Sequence, residues 1–324
     1  MRVPHLSPVA YRRVTTAAAV ALAAIILTGA AVRLTGSGLG CPDWPTCDAD
    51  RLVAPLEFHP MVEFVNRLVT GAVSVAVVLA VLGSLVRTPR RRELTWLSLG
   101  LVAGVVGQIV LGGITVLVDL HPAAVMNHFL LSMVLLANAL VLRHRAGQPD
   151  GVPRERLVAE PSVRRAVAVV VGLAAVVLVA GTVVTGAGPH GGDEEARRFG
   201  FTPSAATRVH GLTVWALLMA TLVLVWLVRR HQLHARLGRQ LEQLLVAIVG
   251  QGIVGYLQYV LDVPAGLVML HIAGAVWVWT NVVLLALSLD GAEAASTAAL
   301  TAEPRPPAPP PRWDPSPRPA GASR

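Results

Sequence analysis

Three histidines lie inside stretches of chain that are otherwise almost wholly apolar: His128, His210 and His271. An ionisable side chain within a bilayer is costly, so an intramembrane histidine points first to function. Each sits roughly five to eight residues inside the outer end of its span, as does Asn66. At about 1.5 Å of rise per residue all four then lie about 8–12 Å below the outer surface, in one layer. Two neutral imidazoles facing each other across a four-helix bundle suit axial coordination of a haem iron, and His210 with His271 make such a pair. Gly211, Ala273 and Gly274 beside them are small enough to let a flat macrocycle approach the backbone. A hydrogen bond to a neighbouring helix would explain any one of these histidines alone; the repeated depth and spacing favour the ligand reading.

His128 has no histidine opposite it. Its partner position is Asn66, and a carboxamide is a poor iron ligand, so one axial side of an iron held by His128 would be open. Glu63 and Arg67 share the helix face of Asn66, which aims the Glu63 carboxylate at the region above the missing ligand. An open position beside an acid suits oxygen chemistry and proton delivery. The plainer explanation of Glu63 is an interfacial residue paired with Arg67.

These side chains must be positioned by membrane-spanning helices. Hydrophobic residues make up 54% of the 324 positions and charged residues 14%, more apolar than a soluble domain. Eight apolar stretches, 14–32, 68–86, 94–118, 122–142, 166–188, 209–228, 243–261 and 263–289, are each near the length of about 20 residues needed to cross a bilayer. The first is too long for a signal peptide and is expected to be retained. The formal charge of +8 comes entirely from arginine and is concentrated in alternate loops: Arg12 and Arg13; Arg87 and Arg90 to Arg92; Arg143 to Arg165; Arg229 to Arg239. The positive-inside rule puts those loops and both termini in the cytoplasm. Topology accounts for the basic residues, and nucleic acid is not required as a partner. The opposite loops carry Asp43, Asp48, Asp50 and Glu57 together with the only cysteines, Cys41 and Cys47. Two thiols in an extracytoplasmic loop can form a disulfide, either as a staple or as a redox-active pair.

The second half of the chain re-uses the first. Gly107-Gln108, Gly112 and His128 recur 143 positions later as Gly250-Gln251, Gly255 and His271. Val65-Asn66-Arg67-Leu68 recurs as Val209-His210-Gly211-Leu212, and Thr35-Gly36-Ser37-Gly38 as Thr185-Gly186-Ala187-Gly188. The expected fold is an all-α integral membrane protein of eight transmembrane helices in two pseudo-symmetric four-helix bundles. Residues 1–144 and 166–289 are the halves, related by an axis along the membrane normal, and 145–165 is a cytoplasmic linker. Residues 290–324, with nine prolines between Pro304 and Pro319, read as an extended, disordered tail.

Val32-Arg33-Leu34-Thr35-Gly36-Ser37-Gly38-Leu39, followed by Cys41-Pro42-Asp43-Trp44-Pro45-Thr46-Cys47, resembles the first helix and outer cysteine loop of the haem A synthase family of cytochrome oxidase assembly proteins. Thr185-Gly186-Ala187-Gly188-Pro189-His190 also resembles the family, and the likeness covers roughly residues 15–290. The resemblance implies oxidation of the C8 methyl of haem O to the formyl of haem A through a hydroxymethyl intermediate, with haem b as a bound cofactor. It implies a bacterial plasma membrane location and delivery of haem A to cytochrome c oxidase. Haem O synthase, oxidase assembly factors and an electron donor or acceptor are the implied partners, and a homo-oligomer is compatible with it. It assigns His210 and His271 to haem b and His128 to the substrate haem. The family's Glu-x-x-His-Arg motif falls on Glu63, Asn66 and Arg67. Asn66 departs from that pattern: either one protein ligand suffices at this haem, or the site is impaired. Arg33 and Arg67, near the outer interface, could pair with haem propionates. His59, His121 and His190 lie in or beside outer loops, where solvation accounts for them. Two other readings compete: a haem b electron carrier that oxidises no substrate, and a transporter, which would need more polar residues at the bilayer middle than Gln108, Gln251 and Gln258.

Overall fold

The computed structural model describes residues 5–41, 43–47, 53–152 and 155–291. Asp48 and Asp50 of the outer loop, Pro42 of the cysteine motif and the proline-rich segment beyond Gly291 lie outside them. Among the described residues eight helices follow one another: α1 (Pro8–Leu34), α2 (Phe58–Val86), α3 (Arg92–Leu117), α4 (Pro122–Ala146), α5 (Pro161–Ala187), α6 (Pro203–Arg230), α7 (His234–Val260) and α8 (Ala265–Leu287). All are long and apolar enough to cross a membrane. Apart from them, two-residue strands at Glu155–Arg156 and Asp290–Gly291 pair antiparallel.

Helix starts carry the expected chemistry. Proline, which has no amide hydrogen to leave unpaired, opens α1, α4, α5 and α6. Ser7 Oγ accepts from Ala10 N at 3.2 Å, and Glu160 accepts from Ser162 N at 3.3 Å. Several helices outrun their apolar stretches. α2 begins at Phe58 rather than near 68 and α7 at His234 rather than 243, so Glu63, Arg67, Arg239 and Glu242 are helical. In a membrane the backbone must satisfy itself, so the helix continues into the interface although the side chains turn polar. The expected linker is trimmed in the same way, with α4 running to Ala146 and α5 starting at Pro161.

The turns that join α3 to α4 and α7 to α8 are alike. Asp119 and Leu120 in one, and Asp262 and Val263 in the other, have φ between 52° and 59°. These are left-handed conformations taken without glycine. Each turn is closed by a long backbone bond, Leu120 N to Thr115 O at 2.9 Å and Val263 N to Gln258 O at 2.8 Å.

α1, α2, α3 and α4 pack in a ring, each on the next and α4 back on α1; α5 to α8 do the same. The two rings meet through α4 on α8, α4 on α5 and α1 on α8. Three buried clusters follow. One is centred on Leu22, Val77, Leu101 and Leu142, and a second on Val170, Leu224, Leu244 and Leu285. A third, Ile26, Met133, Leu136 and Val276, joins α1, α4 and α8. Trp279 adds a hydrogen bond from Nε1 to the Met133 carbonyl at 2.9 Å across this seam.

Candidate functional site

The buried cores stop short of one end of the molecule. No residue is fully buried over 64–72 of α2, 106–112 of α3 or 123–132 of α4, nor over 175–181 of α5, 207–216 of α6, 249–260 of α7 or 265–275 of α8. Asn66, His128, His210 and His271 all fall within this open-packed layer. Asn66 follows the start of its helix by eight residues, His210 by seven, and His128 and His271 by six.

In α5 to α8 the rings of His210 and His271 face each other, with centroids 6.3 Å apart and planes at 72°. A metal ion between two imidazoles, with bonds of about 2 Å, needs about 6 Å between ring centres, so this pair fits a bis-imidazole iron. Glycines allow the approach. A Cβ on Gly255 would lie 3.3 Å from His271 Cε1, and one on Gly181 would lie 3.2 Å from His210 Cε1. His271 is also fixed through its backbone, whose carbonyl accepts from Gln251 Nε2 at 2.8 Å. Open space surrounds Gly211, and Gly274 makes room for the Gln251 side chain.

The same device holds His128. A Cβ on Gly112 would lie 3.4 Å from its Cε1, and its carbonyl accepts from Gln108 Nε2 at 3.0 Å. The Nδ1 atoms of His128, His210 and His271 are all buried without a hydrogen-bond partner. Each Nδ1 lies on the side of its ring that faces the supporting glycine, 3.9 Å, 3.6 Å and 3.8 Å from the Cβ positions of Gly112, Gly181 and Gly255. Among the described residues no three His, Cys, Asp or Glu side chains gather as for a bare metal ion. The three histidines stand as one facing pair, His210 with His271, and one single imidazole, His128.

Asn66 does not offer its oxygen to this layer, because Oδ1 accepts from Thr28 Oγ1 of α1 at 2.8 Å. Glu63 is 5% exposed, and both its oxygens are engaged. Oε2 accepts from Cys41 N at 2.9 Å and Oε1 from Arg67 Nη2 at 2.5 Å. Arg67 continues into the loop, donating to the carbonyls of Asp43 at 3.0 Å, Thr46 at 2.8 Å and Cys41 at 3.4 Å. Cys41 and Cys47 form a disulfide, packed with Ala54, Met61 and Phe64. The Trp44 ring of that loop lies on Gly113 of α3. Glu63 and Arg67 thus anchor a cystine loop over the layer that holds Asn66 and His128.

Arg33 reaches the other half of the chain, donating from Nη2 to the Thr185 carbonyl at 2.9 Å, while its Nε is buried without a partner. The peripheral histidines have local partners: His59 Nδ1 with Ser37 Oγ at 3.0 Å, His121 capping α4 at Ala123 N, and His190 Nε2 with the Val263 carbonyl at 2.7 Å. Sequence reasoning missed Thr28 and Gly181. The one signal for Thr28 was its place on the repeat, where the second half has Leu178.

Eight apolar helices and an open-packed polar layer near one end define a multi-pass, all-helical membrane protein with histidines poised inside it. A profile described as COX15-CtaA, cytochrome oxidase assembly protein, matches residues 12–59 and 56–190, more than half of the chain. The chain belongs to this haem A synthase family. It is 31% identical over 127 residues to a "Heme A synthase" of Lysinibacillus sphaericus, covering 39% of this chain and 41% of that one. It is 30% identical over 122 residues to a "Heme A synthase" of Bacillus mycoides, covering 37% and 39%. The aligned part thus spans about two fifths of the curated relatives' length.

Proposed function

We propose that this protein is a haem A synthase. It oxidises the C8 methyl of haem O to a hydroxymethyl and then to a formyl group, two successive two-electron oxidations, for cytochrome c oxidase. The observation that carries the reading is the contrast between His210 facing His271 at 6.3 Å and His128, whose counterpart is Asn66 held by Thr28. Residues 166–289 form a four-helix half that holds haem b on His210 and His271. Residues 1–144 form its pseudo-twofold counterpart, which takes haem O on His128. The arginine-rich ends and both termini face the cytoplasm, as the charge distribution favours, and the cystine loop faces outward.

Bound haem would supply the one-electron iron couple through which the four electrons pass, in single steps, to an external electron acceptor. The chain supplies position and exclusion. Gly112 and Gln108 seat His128 from two sides. Asn66 keeps the opposite position free of a protein ligand, since the Thr28 hydroxyl occupies its oxygen. Glu63 and Arg67 hang the cystine loop above this space, which restricts water, and place a carboxylate at its rim for proton movement. Arg33, with an unpartnered buried Nε, is a cationic anchor for a propionate near the seam between halves.

The test is expression in a host that makes haem O but no haem A, followed by chromatography of extracted haems. Haem A or its hydroxymethyl precursor is the expected product. Recovery of haem b alone with unconverted haem O would reject the synthase and leave an electron carrier.

A further inference from the structure

The opposite end of α1 and α4 holds arginines that the haem reading does not use. A groove of about 630 Å³ opens there on the outer surface of the bundle, its polar end lined by Arg12, Arg13, Arg143 and Thr16. Its apolar end is formed by Ala17, Val20 and Ala21. The arginines stand at the edge of the hydrocarbon, because the apolar stretches of α1 and α4 begin just after Arg13 and end just before Arg143. Val20 follows Arg12 by eight residues, about 12 Å further into the membrane at about 1.5 Å per residue, and is 62% exposed. The groove therefore runs from the interface into the lipid.

Its charge is uncompensated. No acidic residue lines it, and among the described residues none of the three arginines has a carboxylate within ion-pair distance. Arginines nearby are paired, Arg87 with Asp150 and Arg91 with Glu93. Two of the three are also held in place. Arg143 Nε donates to Thr16 Oγ1 at 3.2 Å, and the Arg12 guanidinium lies against Gly147, where a Cβ would be 3.0 Å from Nε. Free snorkelling would let such side chains spread apart towards water; here they converge on one groove. Topology accounts for the sign of these charges and the end of the helices that carries them, but not for their convergence on one groove. The positions that correspond in the second half are Ser162, Val163, Ala166 and Ala286, none of them basic, while Arg164 and Arg165 keep positive charge at that end.

We propose that this groove binds an anionic phospholipid, with the phosphodiester on Arg12, Arg13 and Arg143 and one acyl chain along Ala17, Val20 and Ala21. Basic pockets between helices at the membrane interface select such headgroups, and guanidinium pairs with phosphate through forked hydrogen bonds.

Native mass spectrometry of the full chain, released from nanodiscs of mixed phosphatidylglycerol and phosphatidylcholine, tests this. The intact protein should retain phosphatidylglycerol in preference to phosphatidylcholine, and Arg12→Gln/Arg13→Gln/Arg143→Gln should reduce that preference at least tenfold. Equal retention of the two lipids by the intact protein, or an unchanged preference in the triple variant, overturns the proposal. So does competition by millimolar inorganic phosphate as effective as that by the lipid, which would mean that an anion alone is bound. A second measurement needs no variant. Phosphatidylglycerol with a diazirine on one acyl chain, photolysed with the intact protein, should label the peptide containing Ala17 to Ala21. Labelling spread evenly over the lipid-facing helices overturns it.

Discussion

The two ends of the repeat, Asn66 with His128 and His210 with His271, occupy the same layer and share the same supports. A glutamine bonds the carbonyl of His128 and of His271, and a glycine lies against each ring. They differ on the facing helix. Where α6 has Thr207, His210 and Gly211, α2 has Glu63, Asn66 and Arg67. His210 turns its ring to His271 with Gly181 behind it. Asn66 is bonded by Thr28, and Glu63 and Arg67 carry a cystine loop. One scaffold therefore carries either a facing pair of imidazoles or a single imidazole beneath an anchored loop, and the two halves differ at three positions on one helix and at Thr28, which the second half replaces with Leu178.

The largest loss is expected at the facing imidazole pair. His271→Ala is expected to remove all low-spin haem absorbance from the purified, haem-supplied protein; persistence of that signal would place the cofactor elsewhere. Glu63→Ala should lower conversion of haem O by about 10²-fold or more while sparing the low-spin signal, as loss of an acid–base group does. Unchanged conversion would make Glu63 purely a loop anchor, a role that Glu63→Gln separates by keeping an acceptor for Cys41 N. Asn66→His sharpens the contrast by giving α2 the residue of α6. It should add a second low-spin component to the electron paramagnetic resonance spectrum and slow conversion by about tenfold, about 1.4 kcal/mol of barrier. A spectrum without the new component would show that Asn66 does not face the His128 haem. The smallest effect is expected from Gly181→Ala. A methyl 3.2 Å from His210 Cε1 must push the ring by a few tenths of an ångström, a mild overpacking of about 1 kcal/mol read as roughly fivefold weaker haem retention.

Much of the fold was legible because a bilayer reduces the question to length and apolarity: eight stretches became eight helices. Their starts were not. Phe58 and His234 lie about ten residues ahead of the apolar runs, because helix formation there answers to backbone hydrogen bonding and not to hydropathy. Within the site, the histidines could be found from their cost in an apolar setting, and the disulfide from the isolation of two cysteines in one loop. The destination of the Glu63 carboxylate could not. Helical spacing put it beside Arg67, but the Cys41 amide that donates to it, and the carbonyls of Asp43 and Thr46 that accept from Arg67, arrive only through the folded path of the loop. Thr28 was hidden for a similar reason, since a threonine in a membrane helix ordinarily bonds its own backbone, as this one also does to Ile25.

Arg33 has a mechanical consequence. Its bond to the Thr185 carbonyl and the backbone bond from Gly38 to Gly192 button the rim, while Trp279 rivets the middle to Met133. Fastenings at both hem and waist resist rocking of one leaf against the other. On the proposed reading, two haems would then keep a fixed mutual attitude, which suits passage of electrons between them.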